Sequence, residues 1–405
     1  MKNAGILTIG NEIMQGFTLD TNAKHISKEL TARNIKVTIH LSVPDVKSKI
    51  IEKIDKFITK DYDYIFVTGG LGPTHDDITR DSLKEMFKCK LKFYQKWNDK
   101  INSKFTKTNI PRNQSEILEI AEPLENNVGT ALGMHFKYKK SHLIILPGVP
   151  HEMKSMFKLF LDLNKKEFKK NIQIFTINTA GIYETKLSNM MQPFIEKYKN
   201  DIYFSFLPSY NGVKLRVEPL NNKTNLSNLK NILVEYLNDF AFGFDDTKIE
   251  KVIFNLLSKN NKTLSIAESC SGGGISEHLT NLPGISKIFI GSIIAYSNEI
   301  KNKVLGIPNS IITKHGAVSE KVATEMAVNI KNKFNTDISI ACTGISGPGG
   351  GTKEKPIGTV FISVCVDDTI ITKKFIFKID RLSHKTLTRH TALYMLWRLI
   401  IKLKY

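Results

Sequence analysis

Apolar residues recur along the chain in two patterns, short continuous runs and helical spacing, and these predict three structural regions. The first region alternates strands with helices, which is typical of an α/β domain with a mostly parallel sheet. The predicted strands are 4–9, 35–41, 64–68 and 142–146, and the predicted helices are 21–33, 46–59, 77–88 and 151–163. We therefore predict a first domain over residues 1–165.

Residues 166–246 carry a different pattern, which predicts a small α+β domain. Its predicted strands are 172–179, 202–206 and 213–218, and its predicted helices are 183–198 and 224–240. The stretch FGFDDT at 242–247 is typical of a linker.

Residues 247–405 return to the alternation of strands and helices, which predicts a second α/β domain. The predicted strands are 263–267, 288–296, 337–342, 357–365 and 370–378, and the predicted helices are 248–259, 271–281, 298–305, 319–334 and 385–403. The predicted fold class is therefore α/β, with two layered α/β/α domains joined by a small α+β domain.

Composition narrows the functional classes. The 405 residues are 41% hydrophobic and 24% charged, as in an ordinary globular protein. No apolar run approaches the roughly 18 residues of a membrane span, and we find no secretory leader at the N-terminus. The four cysteines lack CxxC spacing, which favours a reducing compartment. We expect a cytoplasmic protein with no membrane partner.

The net charge of +19 raises the question of nucleic-acid binding. Most of the 58 basic residues are lysines dispersed along the chain, whereas a nucleic-acid face needs clustered charge. We therefore expect no nucleic-acid partner.

Polar clusters follow three predicted strands of the last region, AESCSGGG (267–274), AYSNEIKNK (295–303) and ACTGISGPGGG (341–351). The carboxyl ends of parallel strands meet at one edge, where α/β proteins bind ligands. A serine that attacks an amide needs a base, and Lys301 is such a base for Ser269 if burial lowers its pKa. The alternatives are a helix cap for Ser269 and a solvated lysine. Cys270 is either a rival nucleophile or a small buried residue.

Glycines in two of these clusters are candidate ligand contacts. Gly272 and Gly273 lie where a helix begins, and free backbone N–H groups there suit an oxyanion or a phosphate. Gly344 and Gly347 belong to a loop too rich in glycine to be scaffold alone. The alternative for each is a tight turn.

These clusters, together with HGAVSE (315–320) and EKPIGTV (354–360), resemble the C-terminal domain of the CinA (competence/damage-inducible protein) family, which is similar to bacterial nicotinamide mononucleotide (NMN) deamidase. The resemblance implies hydrolysis of NMN to nicotinate mononucleotide and ammonia without a cofactor. It implies that Ser269 is the nucleophile, Lys301 the base and Tyr296 a further catalytic residue. Thr343 and Arg381 match the family's substrate-binding positions, and we expect Arg381 to hold the 5′-phosphate with the 344–351 loop.

The stretch TGGLGPTHDDITRDSL (68–83) is the clearest motif of the first region. Acidic residues at a helix start are favourable in themselves, but three aspartates beside a glycine loop also suit a Mg²⁺–phosphate site. The candidate metal ligands are Asp76, Asp77 and Asp81. The candidate phosphate contacts are Gly69, Gly70, Gly72, Thr74, Asn11 and Glu12.

With GNEIMQGFTLDTN (10–22) and LPGVPHEMKSM (146–156), this motif resembles the N-terminal CinA domain, which is similar in fold to the molybdopterin-binding MoaB/MogA proteins. The resemblance implies an ADP-ribose pyrophosphatase that needs a divalent metal such as Mg²⁺. Two alternatives stay open: a domain that binds a molybdopterin-type ligand, and a non-catalytic, DNA-associated competence factor.

The family has a KH-like domain where residues 166–246 lie. KH domains clamp nucleic acid with a GXXG loop, and residues 166–246 contain no such spacing. We expect a structural connector that contributes to a homodimer contact.

Overall fold

The computed structural model describes residues 2–105, 110–169, 174–220 and 226–405. The chain divides into two compact units, Met1–Ile172 and Gln173–Tyr405. The predicted α/β class is confirmed, because sheets with parallel strands and flanking helices build both units. Within the described residues, no helix combines the length and the apolar character that a bilayer span requires.

Unit 1 is built on a six-stranded sheet of order β2-β1-β3-β8-β7-β6, and β4 pairs with β5 separately. Its strands are β1 (Asn3–Ile9), β2 (Lys36–Val43), β3 (Tyr64–Thr68), β4 (Leu91–Phe93), β5 (Glu116–Leu118), β6 (Glu122–Leu124), β7 (Gly133–Tyr138) and β8 (Ser141–Leu146). Its helices are α1 (Asn11–Met14), α2 (Thr21–Thr31), α3 (Lys47–Thr59), α4 (Thr79–Phe87), α5 (Gln95–Lys104) and α6 (Pro150–Leu163). The first four strands in the sheet order are parallel to one another. β7 is antiparallel to β8, and β6 is antiparallel to β7.

Strand β3 shows why the parallel strands read as continuous apolar runs. Tyr64 and Phe66 face a core shared with α2 and α6, whereas Ile65 and Val67 face a second core with α3. A strand covered on both faces needs apolar residues at every position. The three-residue strands β4, β5 and β6 carry no such signal, and the sequence pattern did not predict them.

Unit 2 contains two sheets. Its strands are β9 (Phe175–Thr179), β10 (Ile202–Ser209), β11 (Gly212–Pro219), β12 (Ala241–Phe244), β13 (Leu264–Glu268), β14 (Phe289–Ile294), β15 (Ile338–Gly344), β16 (Thr359–Val366) and β17 (Thr369–Ile376). Its helices are α7 (Glu184–Tyr198), α8 (Ser227–Tyr236), α9 (Ile249–Lys259), α10 (Gly274–Thr280), α11 (Asn298–Lys303), α12 (Asn309–His315), α13 (Glu320–Phe334) and α14 (Arg381–Lys402).

The antiparallel sheet β10-β11-β9-β12 packs one face against α7 and α8. The linker prediction for 242–247 is wrong at its start, because residues 241–244 form β12 and pair with β9. That pairing joins segments about sixty residues apart in sequence, so a local pattern does not reveal it. The starts of the predicted strand 172–179 and helix 224–240 lie outside the described residues.

The second sheet has the order β14-β13-β15-β16-β17, with β14, β13 and β15 parallel. Helices α9 and α14 cover one face and α13 covers the other. Glu268 at the end of β13 lies opposite Ile294 of β14 and Cys342 of β15. The residues that follow these three strands therefore meet at one edge of the sheet.

Candidate active sites

Ser269 and Lys301 meet at this edge, as the sequence predicted. Ser269 follows β13, and Lys301 lies on α11, which begins after β14 with the Ser297 side chain accepting the Ile300 N–H. The Lys301 Nζ lies 3.1 Å from the Ser269 Oγ. Both side chains line a cavity of about 210 Å³. The spacing is that of a hydrogen bond between a nucleophile and its base.

The Lys301 amine is set in an environment that lowers its pKa. Lys301 is only 2% exposed. Its Nζ also donates to the Ala295 carbonyl at 2.7 Å. Burial lowers the pKa of Lys301, and no carboxylate of the described chain forms an ion pair with it. A neutral amine has a lone pair with which to accept a proton.

Cys270 also lines this cavity, but its surroundings suppress the reactivity of its thiol. A hydrogen bond with Cys342 and burial raise the pKa of the Cys270 thiol well above its ordinary value. The thiolate is the reactive form of cysteine. The position of Cys270 therefore fits the small buried residue of the two sequence alternatives.

Tyr296 and Arg381 close one side of the cavity. Arg381 donates from Nη2 to the Tyr296 hydroxyl and from Nη1 to the Gly347 carbonyl, each at 2.7 Å. Arg381 thereby joins the end of β14 to the glycine loop 344–351. The Tyr296 hydroxyl bonds to Arg381 rather than to Lys301, so its contact with the base is through its main-chain oxygen, 3.5 Å from the Lys301 Nζ.

Thr343 and Gly344 line the same cavity. The Thr343 hydroxyl donates to the Ala317 carbonyl at 2.8 Å. A Cβ at Gly344 would lie 2.8 Å from the Thr359 carbonyl oxygen and 3.0 Å from the Cys270 Sγ, so only glycine fits between them.

The glycine loop is fixed to α14 by a histidine that the sequence analysis did not single out. His384 is fully buried, and its Nδ1 lies 3.0 Å from the Oγ of Ser346, which lines the cavity. Its Nε2 lies 3.2 Å from the Gly358 carbonyl oxygen. Because a carbonyl only accepts, Nε2 carries the proton and Nδ1 accepts from Ser346.

Gly272 and Gly273 lie outside the Ser269 cavity. With Gly274 they form a turn, hereafter the glycine turn, that lines a neighbouring cavity of about 310 Å³. Lys385 and Arg389 of α14 line the same cavity, hereafter the glycine-turn cavity. The placement differs from our expectation of direct contact beside Ser269, because the chain turns away between Cys270 and Gly272.

Glu268 is a further residue whose part the sequence analysis missed. Its carboxylate is fully buried and accepts four hydrogen bonds, from the Ser271 and Ser276 hydroxyls at 2.6 Å and from two N–H groups, of Ser276 at 2.9 Å and of Ile275 at 3.0 Å. It ties the end of β13 to the start of α10 and so fixes the turn that carries Ser269. The available signal was a carboxylate at the end of a buried strand whose only other polar residue is Ser265.

Unit 1 has a larger cavity, of about 460 Å³, at the carboxyl ends of β1, β3 and β8. Gly69, Gly70 and Gly72 line it, as predicted for the glycine loop. Gly69 has a φ of 106°, and a Cβ there would lie 2.1 Å from the Ile9 carbonyl oxygen. The loop therefore packs against β1 in a conformation that requires glycine.

The three predicted metal ligands have different placements. Asp76 lines the cavity and is exposed, whereas Asp81 lies on α4 and does not line it. Asp77 lines the cavity, but its carboxylate accepts from the Gly72 N–H at 2.7 Å and the Thr74 N–H at 2.9 Å. The positions of Asp77 and Thr74 therefore hold the shape of the glycine loop.

Asp45 is an acidic residue of this cavity that the sequence analysis missed. It accepts the Asn11 N–H at 2.8 Å, so Asn11 positions Asp45 rather than lining the cavity itself. Glu12 lines the cavity as predicted, and Glu152 of α6 joins it. Burial and then the neighbouring carboxylates, Glu12 among them, raise the pKa of Asp45.

The carboxylates around this cavity fit a divalent metal that is held by one or two of them together with water and substrate phosphates. No group of three or more His, Cys, Asp or Glu side chains in the described ranges is close enough together to hold an ion. Mg²⁺ in phosphate-binding sites is commonly held by one or two carboxylates, with water and substrate phosphates completing its shell. Asp45 and Asp76, which face one cavity beside a glycine loop, suit that mode.

Two protein-family models match this chain, one over most of unit 1 and one over the second part of unit 2. Residues 246–400 match the CinA C-terminal domain, and residues 5–166 match a probable molybdopterin binding domain. A CinA-like protein of Thermosipho melanesiensis is 39% identical over 392 residues, which cover 94% of this chain and 95% of that protein. A CinA-like protein of Fusobacterium nucleatum is 36% identical and covers 98% of this chain and 99% of its own length.

Among solved structures, a competence-damaged protein (CinA) superfamily protein of Escherichia coli is 30% identical, covering 37% of this chain and 88% of that one with a TM-score of 0.37. The two domain matches define an α/β protein with an N-terminal molybdopterin-binding-type domain and a C-terminal CinA domain. The identity of 36–39% to these relatives extends over nearly the full length of the chain, and it confirms the resemblance seen in the motifs. The chain belongs to the CinA family.

Proposed function

We propose that the C-terminal domain hydrolyses the carboxamide of a nicotinamide nucleotide, NMN, to the acid and ammonia. The observation that carries this proposal is the buried Lys301 amine, 3.1 Å from the Ser269 hydroxyl and without a carboxylate partner among the described residues. A Ser–Lys pair is an established form of activated nucleophile. The family membership supports the assignment to an amide of this class.

In the proposed reaction, the Ser269 Oγ attacks the amide carbon while Lys301 accepts the hydroxyl proton. The carbon becomes tetrahedral, and its C–N bond then breaks as Lys301 returns the proton to the leaving nitrogen, releasing ammonia. The acid remains as an ester on Ser269. Water, deprotonated by the neutral Lys301, attacks this ester and frees nicotinate mononucleotide and the Ser269 hydroxyl.

The oxyanion of each tetrahedral species needs hydrogen-bond donors close to Ser269. The Cys270 N–H is suited to this, because it follows the nucleophile directly and has no acceptor on another described residue. The fixed turn supports this role, since Glu268 holds the chain on either side of Ser269. The remaining donors of Arg381, which also lines the cavity, suit the ribose oxygens of the substrate.

The test is the stoichiometry of the reaction catalysed by the full chain. We expect purified protein to convert NMN into equal amounts of ammonia and nicotinate mononucleotide without added metal. Nicotinate mononucleotide is quantified by chromatography and ammonia by a coupled enzymatic assay. Failure to release ammonia with enzyme in excess over substrate would refute the proposed function.

We propose that the N-terminal domain hydrolyses the diphosphate of ADP-ribose to AMP and ribose 5-phosphate. The supporting observation is the 460 Å³ cavity, which combines the glycine loop with five carboxylates, those of Glu12, Asp45, Asp76, Asp77 and Glu152. Asp45 and Asp76 would hold a divalent metal that neutralises diphosphate charge. The N–H groups of the loop, whose shape Asp77 fixes, bind phosphate oxygens.

The corresponding test measures AMP release from ADP-ribose with and without Mg²⁺. We expect metal-dependent AMP release that falls in Asp45→Asn. A cavity that serves a molybdopterin-type ligand would instead leave ADP-ribose intact in both conditions. That outcome would refute the pyrophosphatase and leave the deamidase proposal unaffected.

A further inference from the structure

We propose that the glycine-turn cavity is an anion subsite that binds the phosphate monoester of the substrate, whose carboxamide lies in the Ser269 cavity. The inference rests on the proposed deamidase function. It replaces the expectation that Arg381 and the 344–351 loop hold the phosphate, and it gives the glycine turn a part in the site.

Helix α14 joins the two cavities through three cations. Arg381, Lys385 and Arg389 lie four residues apart, so they share one face of the helix. Arg381 lines the Ser269 cavity, whereas the other two line the glycine-turn cavity. At 1.5 Å per residue, Arg381 and Lys385 are about 6 Å apart along the axis. A nucleotide with its amide at Ser269 can therefore extend its phosphate end along this face.

The Lys385 ammonium is available to a ligand. It makes no hydrogen bond or ion pair with any residue that the structure describes, and its side chain is half-buried. Its Nζ lies 3.3 Å from the position that a Cβ of Gly272 would occupy. Glycine at 272 therefore leaves room for the ammonium beside the main chain.

The glycine turn supplies a second donor. Gly272 and Gly273 have φ values of 62° and 91°, which glycine adopts readily, and their main chain lines the cavity with no side chain in the way. The Gly272 N–H bonds to the Ser269 carbonyl, but the Gly273 N–H has no acceptor on the described residues. An unpaired ammonium and an unpaired N–H that face one cavity match the acceptor oxygens of a phosphate.

Arg381 and Arg389 differ from Lys385 in being already engaged. Arg381 bonds to Gly347 and to Tyr296. Arg389 lies 3.5 Å from the carboxylate of Glu277, which also lines the cavity and is 63% exposed. Exposed ion pairs of this kind are weak, so a phosphate dianion competes with Glu277 for Arg389.

The experiment uses the full chain with Ser269→Ala, which binds substrate without turning it over, and measures affinity by calorimetry. The two ligands are NMN and nicotinamide riboside, which differ only in the phosphate. We expect Lys385→Met to weaken NMN about tenfold, as for the loss of one charge-assisted hydrogen bond, and to change riboside affinity less than about twofold. Lys402→Met, an exposed lysine at the far end of α14, is the matched control and leaves both affinities unchanged.

Removal of the Glu277 carboxylate, which competes for Arg389, should change the affinity for NMN in the opposite direction. Glu277→Gln tightens NMN and leaves the riboside unchanged if Arg389 takes part. Equal effects of Lys385→Met on both ligands, or none on NMN, would overturn the anion subsite. The proposed function is tested separately by ammonia release from the unmodified chain. If that chain releases ammonia and Lys385→Met leaves the affinity for NMN unchanged, only the anion subsite is refuted.

Discussion

Replacement of Lys301 by arginine tests whether a neutral amine is the base of the deamidase. The Lys301 Nζ is 3.1 Å from the Ser269 Oγ, and Lys301 is 2% exposed, so the two groups are within hydrogen-bond distance and shielded from solvent. Arginine carries a positive charge that it does not lose in proteins, so it cannot accept the Ser269 proton. General-base catalysis contributes about 10²–10⁴ in rate, which corresponds to roughly 3–5 kcal/mol of the barrier. We therefore expect Lys301→Arg to lower kcat for ammonia release by that factor.

The pH dependence of ammonia release by the unmodified chain is a second test of Lys301 as the base. Burial lowers the pKa of Lys301 from the ordinary lysine value of 10.5, and the base acts only when neutral. The kcat/KM should rise with pH through that lowered pKa and level off before pH 10.5. The matched control is Lys303→Arg, an exposed lysine of the same helix paired with Glu299, which should retain full activity. A Lys301→Arg chain that keeps its rate would refute the role of Lys301 as base.

Three further substitutions test the framework of the two sites. Glu268→Gln places an amide N–H against groups that already donate hydrogen bonds. We therefore expect the free energy of unfolding, measured with denaturant, to fall by about 1–3 kcal/mol. An unfolding midpoint equal to that of the unmodified chain would contradict the role of Glu268. Asp77→Asn, for the same reason, loosens the glycine loop of unit 1 and should lower AMP release from ADP-ribose while ammonia release from NMN stays unchanged; loss of both activities, or of neither, argues against it. Gly344→Ala places a methyl group 3.0 Å from the Cys270 Sγ and should lower both Tm and ammonia release, and normal values for both would show that the wall of the cavity has room.

The strands of the two parallel cores were predictable because burial on both faces leaves mostly apolar runs. β3 reads YIFVT, and β13 is apolar apart from Ser265 and its terminal Glu268. The same reasoning placed Ser269 and Lys301 at one edge of a sheet. Parallel neighbours end in register, so residues 32 positions apart in sequence are brought within hydrogen-bond distance.

Other features depend on tertiary contacts that no local pattern contains. Strand β12 forms only by pairing with β9, and Asp45 joins the unit 1 cavity through its bond with Asn11. Gly272 and Gly273 were predicted to contact the ligand beside Ser269. Their assignment to the Ser269 cavity was not met, because the direction of the turn is set by the hydrogen bonds that Glu268 accepts.

The most direct test of the central proposal is the rate of ammonia release from NMN by Ser269→Ala and Cys270→Ala, measured beside the unmodified chain. The two residues are adjacent and both line the cavity, so each variant controls for disturbance by the other. We predict that Ser269→Ala loses ammonia release and that Cys270→Ala keeps most of it, because the thiol is buried and its pKa is raised. Activity retained in Ser269→Ala and lost in Cys270→Ala would contradict the account.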